Sequence, residues 1–406
     1  MSLLWLILLA GSTGWALVQA LLGHPEIARQ TVLALDAALE LSVRMSLVMT
    51  GVMAFWLGLF RIAEKAGMVD RLALFLEPVL RRLMPDLPEH HEAFGAMSMN
   101  LSANFLGLDN AATPFGLKAM QFLEAANPCP GTASRAQIMF LVLNSNALCW
   151  LPVSIMAYRI QAGSMQPGLV FLPVLISSTL ALLFAVTVTL MIQKIRPDRG
   201  LITIGLLLFV PCISFLLWVL SGQAAHQAGI SAAVGDLLIL SVILFILIHS
   251  ASRVSSVYEA FIDGARSAIP LAVRIFPYLV AMLSAVGMIR ASGLLNDLLH
   301  WVKQGVTVFG WPVAWIPALP IMLLKPLSGG AARGWLMDLM HQLGPDAFAS
   351  RLGAVVQGST ETTMYIMTVY MGSVGIRRGR YALALGFATE AAGMVIAVLV
   401  SYVFFS

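Results

Sequence analysis

The residues of this 406-residue chain that could do chemistry sit where solvent should be scarce. Asn104, Asp109, Asn110 and Thr113 interrupt one long apolar stretch, and Asn144-Ser145-Asn146 interrupts the next. The pattern recurs in the second half. Lys325, Ser328, Gly329, Gly330 and Arg333 break one apolar stretch, and Thr360-Glu361-Thr362, inside a longer run from Gly358 to Thr363, breaks the one after it. A carboxylate such as Glu361 at the middle of a membrane span costs about 2.5–3.5 kcal/mol on insertion scales, so it should face a partner or water. Backbone unwound at Gly329-Gly330 frees N–H groups at the electropositive start of a helix beginning at Ala331. Arg333 in its first turn adds fixed positive charge, and such a tip suits an anionic group. Each feature has a structural alternative. Glu361 and Arg333 also fit an ion pair, Asn144 and Asn146 fit hydrogen bonding between helices, and Glu390 fits packing against a basic residue.

Enzyme chemistry finds no support in the motifs. The chain has no P-loop, HExxH, GxSxG elbow or SxxK, and its dispersed Ser and His residues give no nucleophile–base pair. His90-His91-Glu92 matches no metal-binding spacing. The three cysteines, Cys129, Cys149 and Cys212, are too few and too scattered for a disulfide framework or a metal site. The net charge of +4 is weak, and the Lys and Arg residues fall between apolar segments rather than on one basic face, which excludes nucleic acid as a partner.

The elements that position these residues are membrane helices. The chain is 59% hydrophobic and 11% charged, against about 25% charge in soluble domains. A spanning helix needs about 20 apolar residues. Nine segments qualify: 3–22, 41–60, 136–158, 169–192, 201–220, 235–250, 270–290, 354–371 and 381–404. The apolar N-terminus lacks the basic start of a signal peptide and reads as a retained span. Two further stretches, 92–126 and 312–343, are too polar in the middle to cross as one helix and read as re-entrant hairpins. The expected fold is therefore an all-α polytopic membrane protein of about nine spans and two re-entrant hairpins. With the N-terminus in the cytoplasm and both hairpins re-entrant, sixteen of the 24 Lys and Arg residues collect inside, as the positive-inside rule asks.

Short blocks recur between the halves. Ala66-Gly67-Met-Val-Asp-Arg-Leu72 resembles Ser292-Gly293-Leu-Leu-Asn-Asp-Leu298, the block Asn110–Met120 resembles Gly330–Met340, and Ala133-Ser-Arg135 resembles Ala349-Ser-Arg351. The spacings are 226, 220 and 216 residues, a drift that loop insertions produce. On the last register Asn144-Ser145-Asn146 aligns with Thr360-Glu361-Thr362. The loop after 136–158 is poor in charge, whereas its counterpart, Gly372 to Arg380, is strongly basic. Equivalent loops on opposite faces make the repeat an inverted one.

Three blocks carry a family resemblance: Asn100 to Met120, Lys325-Pro-Leu-Ser-Gly-Gly-Ala331, and Gln357-Gly-Ser-Thr-Glu-Thr-Thr-Met-Tyr365. Through them residues 1–200 resemble spore maturation protein A, and residues 201–406 resemble spore maturation protein B, fused in one chain. Both belong to the nucleoside-recognition (gate) domain family, which is related to concentrative nucleoside transporters and to a module of ferrous-iron transporters. Asp109 departs from the Gly expected in that family and adds a carboxylate at the first hairpin. The resemblance implies a transport-like membrane unit without naming its solute.

Taken together, these features lead us to expect an ion-coupled permease for a small polar solute, nucleoside-like or an anionic envelope metabolite. It would sit in the bacterial inner membrane and alternate access through its two hairpins. Solute binding is assigned to Asn104, Asn110, Thr113, Asn144, Asn146, Ser328, Gly329, Gly330, Arg333, Thr360 and Thr362, and the coupling Na+ or H+ to Glu361 and Asp109. No catalytic residue, resident cofactor or metal is expected. The expected partners are the solute and the lipid bilayer, and a homo-oligomer is compatible with this reading. The competing expectation is a non-transporting scaffold for envelope, peptidoglycan or spore-maturation processes.

Overall fold

The structure, a computed structural model, describes residues 2–105, 109–150, 152–221 and 224–405; the side chains of 2–4, 109–111, 153, 224–228, 231, 274, 275 and 278 stay outside that description. Apolar side chains and the near absence of Gly-Pro clusters inside the long segments make helix the default, and helix is what forms. Among the described residues there is no strand, only one isolated parallel bridge between Thr132 and Arg378. The helices are α1 (Ser2–Leu21), α2 (Pro25–Lys65), α3 (Met68–Leu83), α4 (Ala93–Phe105), α5 (Asp109–Ala125), α6 (Arg135–Ser145), α7 (Val153–Gln161), α8 (Phe171–Gln193) and α9 (Arg199–Ser221). The second half continues with α10 (Ala224–Ala251), α11 (Val257–Arg266), α12 (Ala268–Ala291), α13 (Leu294–Val308), α14 (Leu319–Leu324), α15 (Gly329–Leu343), α16 (Phe348–Ser359), α17 (Thr363–Ser373) and α18 (Ala382–Phe405).

Among the described residues, five helical segments are long and apolar enough to cross a membrane: Pro25–Lys65, Pro167–Gln193, Arg199–Ser221, Ala232–Ala251 and Ala382–Phe405. A sixth candidate is the pair Leu279–Ala291 and Leu294–Val308, bent by 69°. The protein is thus a multi-pass membrane protein, and most of its exposed large apolar side chains lie on these helices. The sequence-based spans differ in three places. The spans 136–158 and 354–371 are each two short helices with a break between them. The expected loop 221–234 is largely helix, because α10 begins at Ala224. Helix α2 runs 41 residues, about 60 Å at 1.5 Å per residue, so it extends well past the hydrocarbon core.

The internal repeat is visible as a repeated order of elements: a long helix (α2, α12), a turned-away helix (α3, α13), a helix pair (α4–α5, α14–α15), a broken helix (α6–α7, α16–α17) and a closing long helix (α8, α18). The first joint is the same in both units. Gly67 and Gly293 both adopt positive φ, 72° and 84°, a conformation that glycine reaches at no steric cost. Each donates its N–H three residues back, Gly67 to the Glu64 carbonyl and Gly293 to that of Arg290. Each also accepts from four residues on, from Arg71 and from Asp297.

Counterpart elements also pack on each other. Helix α12 lies against α2, where the missing side chain of Gly287 lets it approach the Ala34 carbonyl and Ala38. Helix α18 lies against α8, with Gly393 facing Ala181. Two large clusters form the core, one centred on α12, α15 and α16, the other on α4, α5 and α6.

Candidate functional site

The two broken helices meet at their breaks. Helix α6 opens with a capping box: the Gln137 N–H donates to Ser134 Oγ (3.2 Å) and the Ser134 N–H donates to Gln137 Oε1 (2.7 Å). It ends at Ser145, with Asn146 as its C-cap, and the described residues from there to Pro152 are not helical. Helix α16 ends at Ser359, and Thr360 takes extended angles, φ −141° and ψ 163°, which suit a β-branched residue. There the Glu361 N–H donates to the Ser145 carbonyl at 2.9 Å. These are the middle residues of the two polar triplets that the repeat aligns.

Both helix pairs bring their tips to these breaks. At the tip of α4–α5, Asn104 Nδ2 donates to Asn144 Oδ1 (3.1 Å). Lower on α4, Asn100 Nδ2 donates to the Ala112 carbonyl (2.8 Å) and to the Tyr370 hydroxyl (3.1 Å). At the tip of α14–α15, the Met364 N–H donates to the Pro326 carbonyl (3.0 Å), and Gly329 lies so close to Thr362 that a Cβ there would sit 2.6 Å from Oγ1. Ser328 caps α15, its hydroxyl accepting from the Ala331 N–H (3.1 Å). Arg333, one turn on, stacks over the Tyr158 ring at 5.8 Å. Each helix pair therefore touches a tyrosine from the far end of the opposite unit's broken helix.

Of the residues selected from sequence, Asn104, Asn144, Asn146, Ser328, Gly329, Gly330, Thr360, Glu361 and Thr362 gather at or beside the crossing. Thr113 lies on α5, and Arg333 reaches toward α7. Asp109 and Asn110 begin α5, but their side chains lie outside the described residues.

Three further groups tie α18 and the second helix pair to the crossing. Asn146 Nδ2 donates to Thr389 Oγ1 (3.0 Å). Glu390 is fully buried, and its Oε2 accepts from the Thr363 hydroxyl (2.5 Å) and N–H (3.3 Å). Lys325, 3% exposed, donates from Nζ to the Gln357 carbonyl (3.0 Å), and its charge reaches Glu390. The signal for α18 was present in the sequence: Gly386, Glu390 and Gly393 fall on one helical face.

The ends of the crossed helices are tied by two matched loop clusters. Before α6, Glu124 accepts from Asn127, Gln137 and the Gly131 N–H at 2.7–2.9 Å. The Gly131 carbonyl in turn receives the N–H groups of Arg377 and Arg378, in the loop after α17. Before α16, Asp346 accepts from Ser164 (2.8 Å) and the Met165 N–H (3.0 Å), in the loop after α7. The fully buried Arg159 donates to Asp346 and the Pro345 carbonyl, both at 2.7 Å. Each cluster joins the start of one broken helix to the end of the other, so the two helices run antiparallel. Burial alone would push both carboxyls up. The hydrogen bonds to Glu124, and those to Asp346 with the Arg159 charge, outweigh it and hold both below the ordinary carboxylate value.

Residues 46–222 match the nucleoside-recognition (Gate) family. The chain is 38% identical over 159 residues to spore maturation protein B of Bacillus subtilis, covering 39% of this chain and 88% of that protein. It is 33% identical over 159 residues to spore maturation protein A of the same organism, covering 39% of this chain and 81% of that protein. No solved structure matches. The chain belongs to the spore maturation and nucleoside-recognition (Gate) family of membrane proteins.

Proposed function

We propose that this protein is a permease for a small polar solute, nucleoside-like or an anionic envelope metabolite, and that it moves the solute by shifting its two helix pairs against the scaffold of long helices. The contact between Ser145 and Glu361 carries the reading. A chain that only needs to be anchored in lipid has no use for two helices broken at the same point, each with a second helix pair aimed at the break. Interrupted helices facing each other at mid-membrane are the usual setting of a solute site, because their free backbone groups can bind what lipid cannot. Asn104, Asn144 and Asn146 are suited to orient the solute, while Ser328, the Gly329-Gly330 backbone and Arg333 suit an anionic group. Glu361 is the candidate for binding the coupling Na+ or H+. The proposed setting is the bacterial inner membrane, with the N-terminus in the cytoplasm and the α4–α5 and α14–α15 pairs entering from opposite faces.

The test is uptake into proteoliposomes, screened with nucleosides and anionic sugar derivatives under an imposed Na+ or H+ gradient. Glu361→Gln keeps shape and hydrogen bonding, so the variant should fold and lose gradient-driven uptake. Normal uptake by a folded variant removes Glu361 as the coupling site. Absence of gradient-driven flux of any such solute in the wild-type chain favours the scaffold reading, which the names of the two spore maturation relatives also suit.

A further inference from the structure

Glu390 occupies a position that neither the family match nor the proposed solute site accounts for. Helix α18 lies on the extended segment 360–362 because two of its residues lack side chains. A Cβ on Gly386 would sit 2.7 Å from Thr363 Cγ2, and one on Gly393 would sit 2.8 Å from Thr360 Cγ2. Glu390, between them on the same face, is pressed against that segment and has no exposed surface. Its two oxygens are unequal. Oε2 takes both Thr363 donors, whereas Oε1 is buried without a hydrogen-bond partner.

The neighbourhood has acceptors to spare. Asn146 Oδ1 and Gln357 Oε1, which can only accept, are also buried without partners, and the single O–H of the likewise unpaired Thr360 cannot serve both of them and Glu390 Oε1, while the Asn146 amide nitrogen is already committed to Val142 and Thr389. An ionised carboxylate adds one more acceptor to this surplus. A protonated one supplies the missing donor through an O–H on Oε1. Lys325, at the tip of the α14–α15 pair, is the nearby positive charge. It disfavours a metal cation there but balances the carboxylate that remains when a proton leaves.

We propose that Glu390 is a proton-exchange site, and that the tip of the α14–α15 pair governs its protonation through Lys325. In the neutral state Oε1 carries the proton; on release the O–H bond breaks, the proton passes to water, and the carboxylate is held by Thr363 and faced by Lys325. Movement of that tip would carry Lys325 with it and so shift the exchange. The other ionisable groups on elements packed against α18 are few. Glu361 sits in the facing break, Arg135 and Arg351 start α6 and α16, and Arg199 and Cys212 lie on α9. His226, Asp236 and His249 lie on α10, Tyr365 and Tyr370 on α17, and Tyr402 on α18 itself; helix α8 has none. The inference rests on the crossing lying in the membrane, not on transport.

Infrared titration of the purified full-length protein in lipid nanodiscs reads this directly, with no solute present. The wild type should show a protonated-carboxyl band that disappears as pH is raised. Glu390→Gln should lose that band, and Glu361→Gln should keep it. Thr363→Val and Lys325→Met each remove a group that favours the ionised form, so each should move the transition to higher pH. A band that survives in folded Glu390→Gln overturns the assignment. So does a band that Na+ abolishes at fixed pH, which marks a metal-cation site instead. If Glu390→Gln does not fold, an unshifted transition in both Thr363→Val and Lys325→Met overturns it equally.

Discussion

Two glycines set the geometry of the crossing. Alanine at Gly386 would bring a methyl to 2.7 Å from Thr363 and 2.9 Å from Met367, and alanine at Gly393 one to 2.8 Å from Thr360. Overpacking of this kind costs about 1–3 kcal/mol. Each Gly→Ala variant should therefore unfold at lower temperature in detergent, while Gly205→Ala, with open space around it on α9, should be neutral or slightly stabilising. Unchanged melting of both crossing variants would mean that α18 does not need this close approach. At this scale the sequence was partly readable. Asn144, Asn146 and Glu361 stand out because a polar side chain inside an apolar run has few cheap places to go. Glu390 stood out for the same reason but could not be placed, since its role depends on which face of α18 is buried. Asn100 and Tyr370 were missed because single polar groups on otherwise ordinary helices give no local signal.

At the level of elements, the two loop clusters act as clasps on the crossed helices. Arg159 has no exposed side-chain surface and serves Asp346, Pro345, Ser164 and Gln166 together. Removing one partner from a buried charge pair typically costs about 3–5 kcal/mol, so Arg159→Ala should be among the most destabilising single changes, read by thermal unfolding. The acidic partners give a pH signature. Because Glu124 and Asp346 are held below their ordinary value, they stabilise the fold fully above the unfolded-state carboxyl value of about 4. That contribution disappears as pH falls through their lower folded-state values. A Glu124→Gln, Asp346→Asn double variant should therefore melt lower at neutral pH, and its deficit should shrink on acidification. A deficit that stays constant with pH would show that ionisation is not what the clasps use. The clasps were invisible in sequence because the links that close them join distant segments, Ser164 to Asp346 in one and Gly131 to Arg377 in the other. The broken helices were read as whole spans for a related reason: hydropathy sums ignore whether a segment is wound. Asn-Ser-Asn and Thr-Glu-Thr pointed to the interruptions, but not to the length of the break between α6 and α7.

For the molecule as a whole, the proposed topology puts the two loop clusters on opposite membrane faces. A cysteine at position 226 should react with an impermeant reagent from outside, and one at the exposed Arg378 only from inside, in a background lacking the three native cysteines. Labelling of both from one side would end the inverted-repeat arrangement. The repeat itself was readable from three short matches, since spacing survives where identity does not. What it could not tell was how the units associate. The structure interleaves them: long helix on long helix, break on break, closing helix on closing helix.

That interleaving bears on why the two units share one chain. When corresponding residues of two related units touch, as Ser145 and Glu361 do, they lie near the axis that relates them. A self-paired copy of either unit would have to meet its own twin there. For the second unit this would bring two copies of Glu361 together at the break, where like charges in close company cannot both ionise. Joining unlike partners lifts the constraint, so that Glu361 meets Ser145 and its flanking asparagines instead. Carrying both units in one chain makes the unequal pairing obligatory.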